Sequence, residues 1–79
     1  MAFNFTHVNF NVLDLARSME FYEKAFGFSE KRRLEAPGFT LVYLWDGKTD
    51  FELELTFLHE RREPYNLGEK EFHLALHTD

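Results

Sequence analysis

Apolar and polar residues alternate from Phe5 to Val12, with Val8, Phe10 and Val12 on one side and His7, Asn9 and Asn11 on the other. A period of two over this length predicts a half-buried strand. Asp14 then stands as an N-cap. Leu15, Met19, Tyr22 and Phe26, with Ala25 beside them, recur at helical spacing as far as Gly27. The spacing predicts a helix of about three turns that ends where glycine supplies the left-handed stop. A second strand is expected from Phe28 to Leu34, closed by Ala36-Pro37-Gly38, a turn signal in which proline fixes φ and glycine accepts positive φ. Phe39 to Trp45 reads as strand three, and Asp46-Gly47 with Lys48 as a hairpin turn. Strand four runs from Phe51 to Phe57, with Phe51, Leu53, Leu55 and Phe57 on one face and Glu52, Glu54 and Thr56 on the other.

The stretch from His59 to Glu71 is mostly charged or turn-forming and reads as a loop. Beyond it Phe72, Leu74 and Leu76 alternate against His73, Ala75 and His77, which predicts a last strand before Asp79. The expected order is strand, helix, three strands, loop, strand. This is an α+β module of βαβββ type plus one extra strand, with a mixed sheet and a right-handed crossover that lays the helix on one face. Residues 1–58 form the first module, 59–71 the linking loop and 72–79 the first strand of an incomplete second module. Phe5-Thr6-His7-Val8 and Glu71-Phe72-His73-Leu74 are similar enough to suggest that a second copy of the unit begins there.

At 79 residues the chain is one small domain, and a domain of this size buries only ~60% of its unfolded surface. With no cysteine, disulfides and thiolate metal sites are excluded, so a staple has to be a His/carboxylate metal or a partner chain. Hydrophobic residues at 44%, aromatics at 18% and ten Phe describe a chain that folds. A net charge of -5 and a pI near 5.3 argue against nucleic-acid binding. The one basic cluster, Lys31-Arg32-Arg33, is flanked by Glu30 and Glu35 and reads as a solvated strand end. No apolar run approaches the ~20 residues of a bilayer span, and the N-terminus lacks the features of a signal peptide. The expectation is a cytoplasmic protein.

The helix is expected to cover the apolar phases of strands one and four, which leaves His7, Glu54 and His73 pointing together into the opposite, concave face. A simple core would avoid three ionisable groups in one place, because a buried unpaired charge costs several kcal/mol. Imidazole and carboxylate ligands suit zinc, nickel, cobalt or iron. Taken singly, a strand histidine is more often a surface or hydrogen-bonded residue, and both readings stand on the pattern. His59 and His77 read as ordinary surface residues. Paired carboxylates for glycosidic chemistry, Ser or Cys nucleophiles and Gly-rich phosphate loops are not found.

Three segments carry a family resemblance. Phe5-Thr6-His7-Val8, the run Val12-Leu13-Asp14-Leu15-Ala16-Arg17-Ser18-Met19-Glu20-Phe21-Tyr22, and Phe26-Gly27-Phe28 resemble the opening of glyoxalase I, in the vicinal-oxygen-chelate superfamily. Glu52-Leu53-Glu54-Leu55-Thr56-Phe57 resembles its metal-glutamate strand. Tyr65-Asn66-Leu67-Gly68 and Phe72-His73-Leu74-Ala75-Leu76 resemble its loop and second-module strand. The resemblance implies isomerisation of the hemithioacetal of methylglyoxal and glutathione to lactoylglutathione. It implies His7 and Glu54 as ligands from the first module, with Glu54 also catalytic, and His73 as the first ligand from the second.

In the family the two modules at each site come from different subunits, so a homodimer is implied, with His73 supplied by the partner copy. The short loops resemble the family's compact branch more than its longer zinc forms, which implies nickel or cobalt over zinc. The family's fourth ligand, a glutamate late in the second module, has no counterpart in the 79 residues. The expectation is therefore a boundary at Asp79, weak metal binding and little isomerase activity for the chain alone. Asn11 stands where family members carry an arginine that grips the thiol's carboxylate, and Leu58 where they carry an asparagine. Glutathione or another thiol is thus the expected co-substrate. Metal-free ligand binding and metal-dependent epimerase or dioxygenase chemistry are the alternatives.

Overall fold

A computed structural model of the protein describes residues 2–79. The elements run β1 (His7–Val12), α1 (Leu15–Phe26), β2 (Ser29–Ala36), β3 (Phe39–Trp45) and β4 (Glu52–Leu58). They form one four-stranded sheet in the order β1-β4-β3-β2. β1 pairs parallel with β4, while β3 is antiparallel to both β4 and β2. The helix crosses from one edge strand to the other, which leaves one face of the sheet covered and the other open. This is the α+β, βαβββ arrangement that the periodicities predict.

Each end of α1 is set by local chemistry. The Asp14 carboxylate accepts the Arg17 backbone N–H at 3.0 Å, satisfying one of the donors a helix start leaves free. At the other end Gly27 adopts a φ of 74°. Its N–H reaches the Glu23 carbonyl at 2.8 Å, and the Phe28 N–H reaches Tyr22 at 3.3 Å. A side chain at this position would strain the left-handed backbone. Pro37 and Gly38 make a two-residue turn between β2 and β3, closed by the Ala36–Phe39 pair, with Gly38 at a φ of 91°. The next connection is longer than a tight hairpin: Asp46 holds it by accepting the N–H groups of Lys48 and Thr49 at 2.8 and 2.9 Å.

The core is thin. Val42, Leu44, Leu53 and Leu55 are buried, and Val8, Phe10, Val12, Leu15, Met19, Tyr22 and Phe28 pack against them half-buried. No residue of α1 is fully buried. Phe26, expected on the helix's inner stripe, is exposed and instead lies 5.6 Å from the Phe28 ring and 5.9 Å from Phe21, centroid to centroid. Among the described residues no helix is long and apolar enough to cross a membrane.

Two expectations change. Residues 72–79 form no strand and are exposed throughout. A strand exists only where a neighbour accepts its backbone hydrogen bonds, and the alternation of Phe72 to His77 finds none within this chain. Lys31-Arg32-Arg33 is not a strand end, because β2 extends to Ala36 and the cluster lies inside it. The β2–β3 register slips between Glu30 and Arg32. This bulge turns both Lys31 and Arg32 towards the open face, whereas Arg33 keeps the helix side, where it meets the Met19 sulfur at 3.7 Å.

Candidate functional site

Strand pairing decides which polar side chains meet on the open face. In the parallel β1–β4 register His7 stands opposite Glu52, Asn9 opposite Glu54 and Asn11 opposite Thr56. Tyr43 of β3 stands opposite Glu54, and Arg32 of β2 opposite Tyr43. Paired residues share a face, so one polar band crosses the sheet from β1 to β2.

At its centre His7 Nε2 lies 4.0 Å from Glu54 Oε1, the carboxylate being 13% exposed and the imidazole 40%. The other oxygen of Glu54 accepts the Tyr43 hydroxyl. His7 Nδ1 lies 3.2 Å from Thr6 Oγ1. If that contact uses an Nδ1 proton, the Nε2 lone pair is left facing Glu54, the tautomer a metal-ligating imidazole needs. The His7 and Tyr43 rings meet edge to face at 5.8 Å between centroids.

Next to this pair is a second cluster that the sequence did not single out. Glu52 is buried, yet its carboxylate has two cationic partners. Arg32 donates to its two oxygens at 2.9 and 3.2 Å, and Lys31 Nζ lies 3.8 Å away. The Arg32 hydrogen bonds hold the Glu52 carboxyl below its ordinary value, against the opposing effect of burial. The Arg32 guanidinium also lies over the Tyr43 ring, 3.7 Å from its centroid. Lys31 lies over Trp45 at 4.5 Å. The hydrogen bond to Glu54 raises the Tyr43 phenol, and burial adds to it. At the β1 end Asn9 donates to Asn11 at 2.7 Å and accepts from Thr56.

His7 and Glu54 are thus brought together, as their strand phases require. His73 is not: it lies in the exposed, irregular segment after β4. Among the described residues no three His, Cys, Asp or Glu side chains converge as a metal-binding group. Asn11 and Leu58 lie on the open face at the far end of β1 and β4. His59, expected at the surface, is half-buried and lies 2.8 Å from the buried Thr40 hydroxyl, a role in closing the fold's end.

A donor test bears on whether a divalent ion fits His7 and Glu54. Ligand atoms each ~2.1 Å from one ion stand at most ~4.2 Å apart, and about 3.4 Å in tetrahedral geometry. The observed 4.0 Å is inside the outer bound and needs closing by roughly half an ångström for a tetrahedral ion and by about 1 Å for adjacent positions of an octahedral one. A small rotation of the His7 side chain, the more exposed of the two, supplies that. One imidazole nitrogen and one carboxylate oxygen, both on rigid strands, therefore fit as two ligands of an ion that needs further ones.

A model of the Glyoxalase/Bleomycin resistance protein/Dioxygenase superfamily matches residues 4–79. No curated protein sequence matches. Among solved structures, a glyoxalase I mutant from Zea mays is 35% identical, with a TM-score of 0.65, over 73% of this chain and 22% of its own. The trypanothione-dependent glyoxalase I of Leishmania major is 28% identical, with a TM-score of 0.66, over 81% of this chain and 52% of its own. Methylmalonyl-CoA epimerase from Mycobacterium tuberculosis, 20% identical over 67% of this chain and 37% of its own with a TM-score of 0.61, shares the fold. The chain therefore spans between 22% and 52% of the length of these three proteins.

Proposed function

The chain belongs to the glyoxalase/bleomycin resistance protein/dioxygenase superfamily, and from that premise we propose that it forms one half of a glyoxalase I-type metal site. The reaction is isomerisation of a methylglyoxal–thiol hemithioacetal to a lactoyl thioester. The observation that carries the proposal is the His7–Glu54 pair, 4.0 Å apart on an open sheet face, together with glyoxalase I structures at 35% and 28% identity.

In this reading His7 Nε2 and Glu54 Oε1 are two ligands, and His73 of a second copy of the chain is a third. A homodimer then assembles the site, which accounts for a single chain leaving His73 apart from the pair. Nickel or cobalt is the metal favoured over zinc. The chemistry a divalent cation supplies there is polarisation of the substrate's oxygens and stabilisation of the negative charge that develops beside them. Glu54 doubles as the second acid/base group, moving a proton at Oε1, the oxygen not committed to Tyr43, when that oxygen does not ligate the ion; general acid–base catalysis of this kind is worth ~100 to 10,000-fold. The sheet holds His7 in place through backbone pairing on rigid strands. Asn11 and Leu58 border the far end of the face and offer an amide and an aliphatic surface to the thiol, whether glutathione or another.

A second reading is a metal-free ligand-binding module of the same superfamily, favoured by the separation of His73 from the pair. Thermal unfolding distinguishes the two. Nickel, cobalt, zinc and iron are each compared with chelator, at fixed protein concentration, for the natural sequence and for Glu54→Gln. At a metal concentration 100-fold above Kd, binding stabilises by ~2.7 kcal/mol, a rise in Tm of roughly 10–20 °C for a domain of this size. Nickel or cobalt should give such a rise, and Glu54→Gln should lose it. Indifference to metal and chelator refutes the metal site and favours the binding module.

A further inference from the structure

Glu54 is held by something the ligand set does not include. Its Oε2 accepts the hydroxyl of Tyr43, a residue 8% exposed at the middle of β3. Tyr43 is in turn fixed on three sides. The sheet fixes its backbone opposite Glu54, the His7 ring abuts it edge-on, and the Arg32 guanidinium covers its face at 3.7 Å. Arg32 would be a mobile surface side chain, but its two hydrogen bonds to the buried Glu52 anchor it. The bulge in β2 supports the arrangement, since it turns Arg32 and Lys31 together to the open face, one over Tyr43 and the other over Trp45.

The geometry points to Tyr43 as the positioning residue for Glu54, with Arg32 and Glu52 as the clamp that holds Tyr43. This deepens the reading of His7 and Glu54 as metal ligands and rests on it. The hydroxyl commits one carboxylate oxygen, so Glu54 offers a single oxygen, Oε1, on the His7 side. A carboxylate without that bond rotates freely about its last torsion and can present both oxygens at once. Tyr43 also stands between Arg32 and His7, so the nearest guanidinium is spent on Glu52 and an aromatic face and does not compete with a cation for Glu54. Hydrogen bonds to metal ligands orient them and typically account for roughly 10–100-fold in metal affinity.

The test is Tyr43→Phe, which removes the hydroxyl and keeps the ring on which Arg32 rests. Cobalt is titrated into the full chain, with binding followed by calorimetry and by the visible absorption bands of the bound ion. In parallel, carbon NMR of protein labelled at the glutamate carboxyl carbon follows Glu54 without metal, its signal assigned by its loss in Glu54→Gln. The expected result is a metal-free Tm close to that of the natural sequence and a shifted Glu54 carboxyl signal. Cobalt affinity should fall roughly 10–100-fold, with changed visible bands, and Tyr43→Phe should have no further effect when added to Glu54→Gln. Unchanged affinity, bands and carboxyl signal overturn the positioning role and leave the metal site standing. Failure of the natural sequence to bind cobalt overturns the metal site instead, and the carboxyl signal still decides whether Tyr43 holds Glu54.

Discussion

Leu55→Ala tests how thin the core is. Leu55 has no exposed surface and sits on β4 between Phe10 of β1 and Val42 of β3. Truncation removes three carbons, and at about 0.8 kcal/mol each the lost transfer free energy is ~2.4 kcal/mol. A cavity term adds to this, within an observed range of about 2–5 kcal/mol for buried leucines. Among the described residues the cluster has three other buried members, Val42, Leu44 and Leu53, under a helix with none, so the surroundings can collapse and the cavity term stays small. The expected loss is ~3 kcal/mol. A 79-residue domain has roughly 4–12 kcal/mol in all, so the variant loses a large share of its stability and ~12–24 °C in Tm.

Urea unfolding followed by the fluorescence of Trp45, the single tryptophan, measures the loss at fixed protein concentration. Phe3→Ala is the control: its side chain is 88% exposed and its removal should cost within about 0.5 kcal/mol. A Leu55→Ala loss below ~1 kcal/mol, or one equal to that of Phe3→Ala, would refute the claim that four residues carry the core. Glu54 precedes Leu55 on the same strand, so the two faces are tested together. A collapse that shifts β4 also moves the carboxylate away from His7.

Two further outcomes follow from local chemistry. Glu52 is held below its ordinary value of 4.5, first by the Arg32 hydrogen bonds. The unfolded chain therefore binds more protons, and this contribution is present above pH 4.5 and lost as the pH falls through the lower folded value. Urea midpoints measured from pH 7 down to pH 3 should fall less steeply below pH 4.5 for Glu52→Gln than for the natural sequence, and identical slopes would refute the assignment. Asp14→Ala removes the acceptor of the Arg17 N–H and should cost ~1 kcal/mol, read as a drop of roughly 4–8 °C in Tm. An unchanged Tm would mean that the cap is dispensable.

The fold was legible where one face of each element is apolar. The Phe39–Trp45 strand and the Asp14-to-Gly27 helix appear at their expected bounds, because the cap residues and the turn glycines act on their own neighbours. β1, β2 and β4 shift by one or two residues, with the apolar Phe5, Phe28 and Phe51 falling just outside the paired backbone. The bulge at Lys31 was not legible. It arises from a register slip against β3, and nothing in the order Glu30-Lys31-Arg32-Arg33 says which of the three cations changes side. His59 was misread for a similar reason: its partner Thr40 is 19 positions away.

The same distinction separates the parts of the site. His7 and Glu54 stand out because each is polar in a strand whose opposite phase is apolar, and a strand's phase is a local property. Tyr43 hides because it counts as apolar in a run that is apolar in both phases, Leu41-Val42-Tyr43-Leu44-Trp45. Only the antiparallel register that puts it opposite Glu54 reveals the hydroxyl as the polar end of that position. Glu52 was visible but undervalued. It shares the phase of Glu54 two residues earlier, and its burial makes sense only once the bulge delivers Arg32 and Lys31 to it. His73 is the opposite case, a local alternation with no neighbouring strand to realise it. In the proposed homodimer its place is set by the partner copy, so metal-linked stability and metal-linked assembly should appear together.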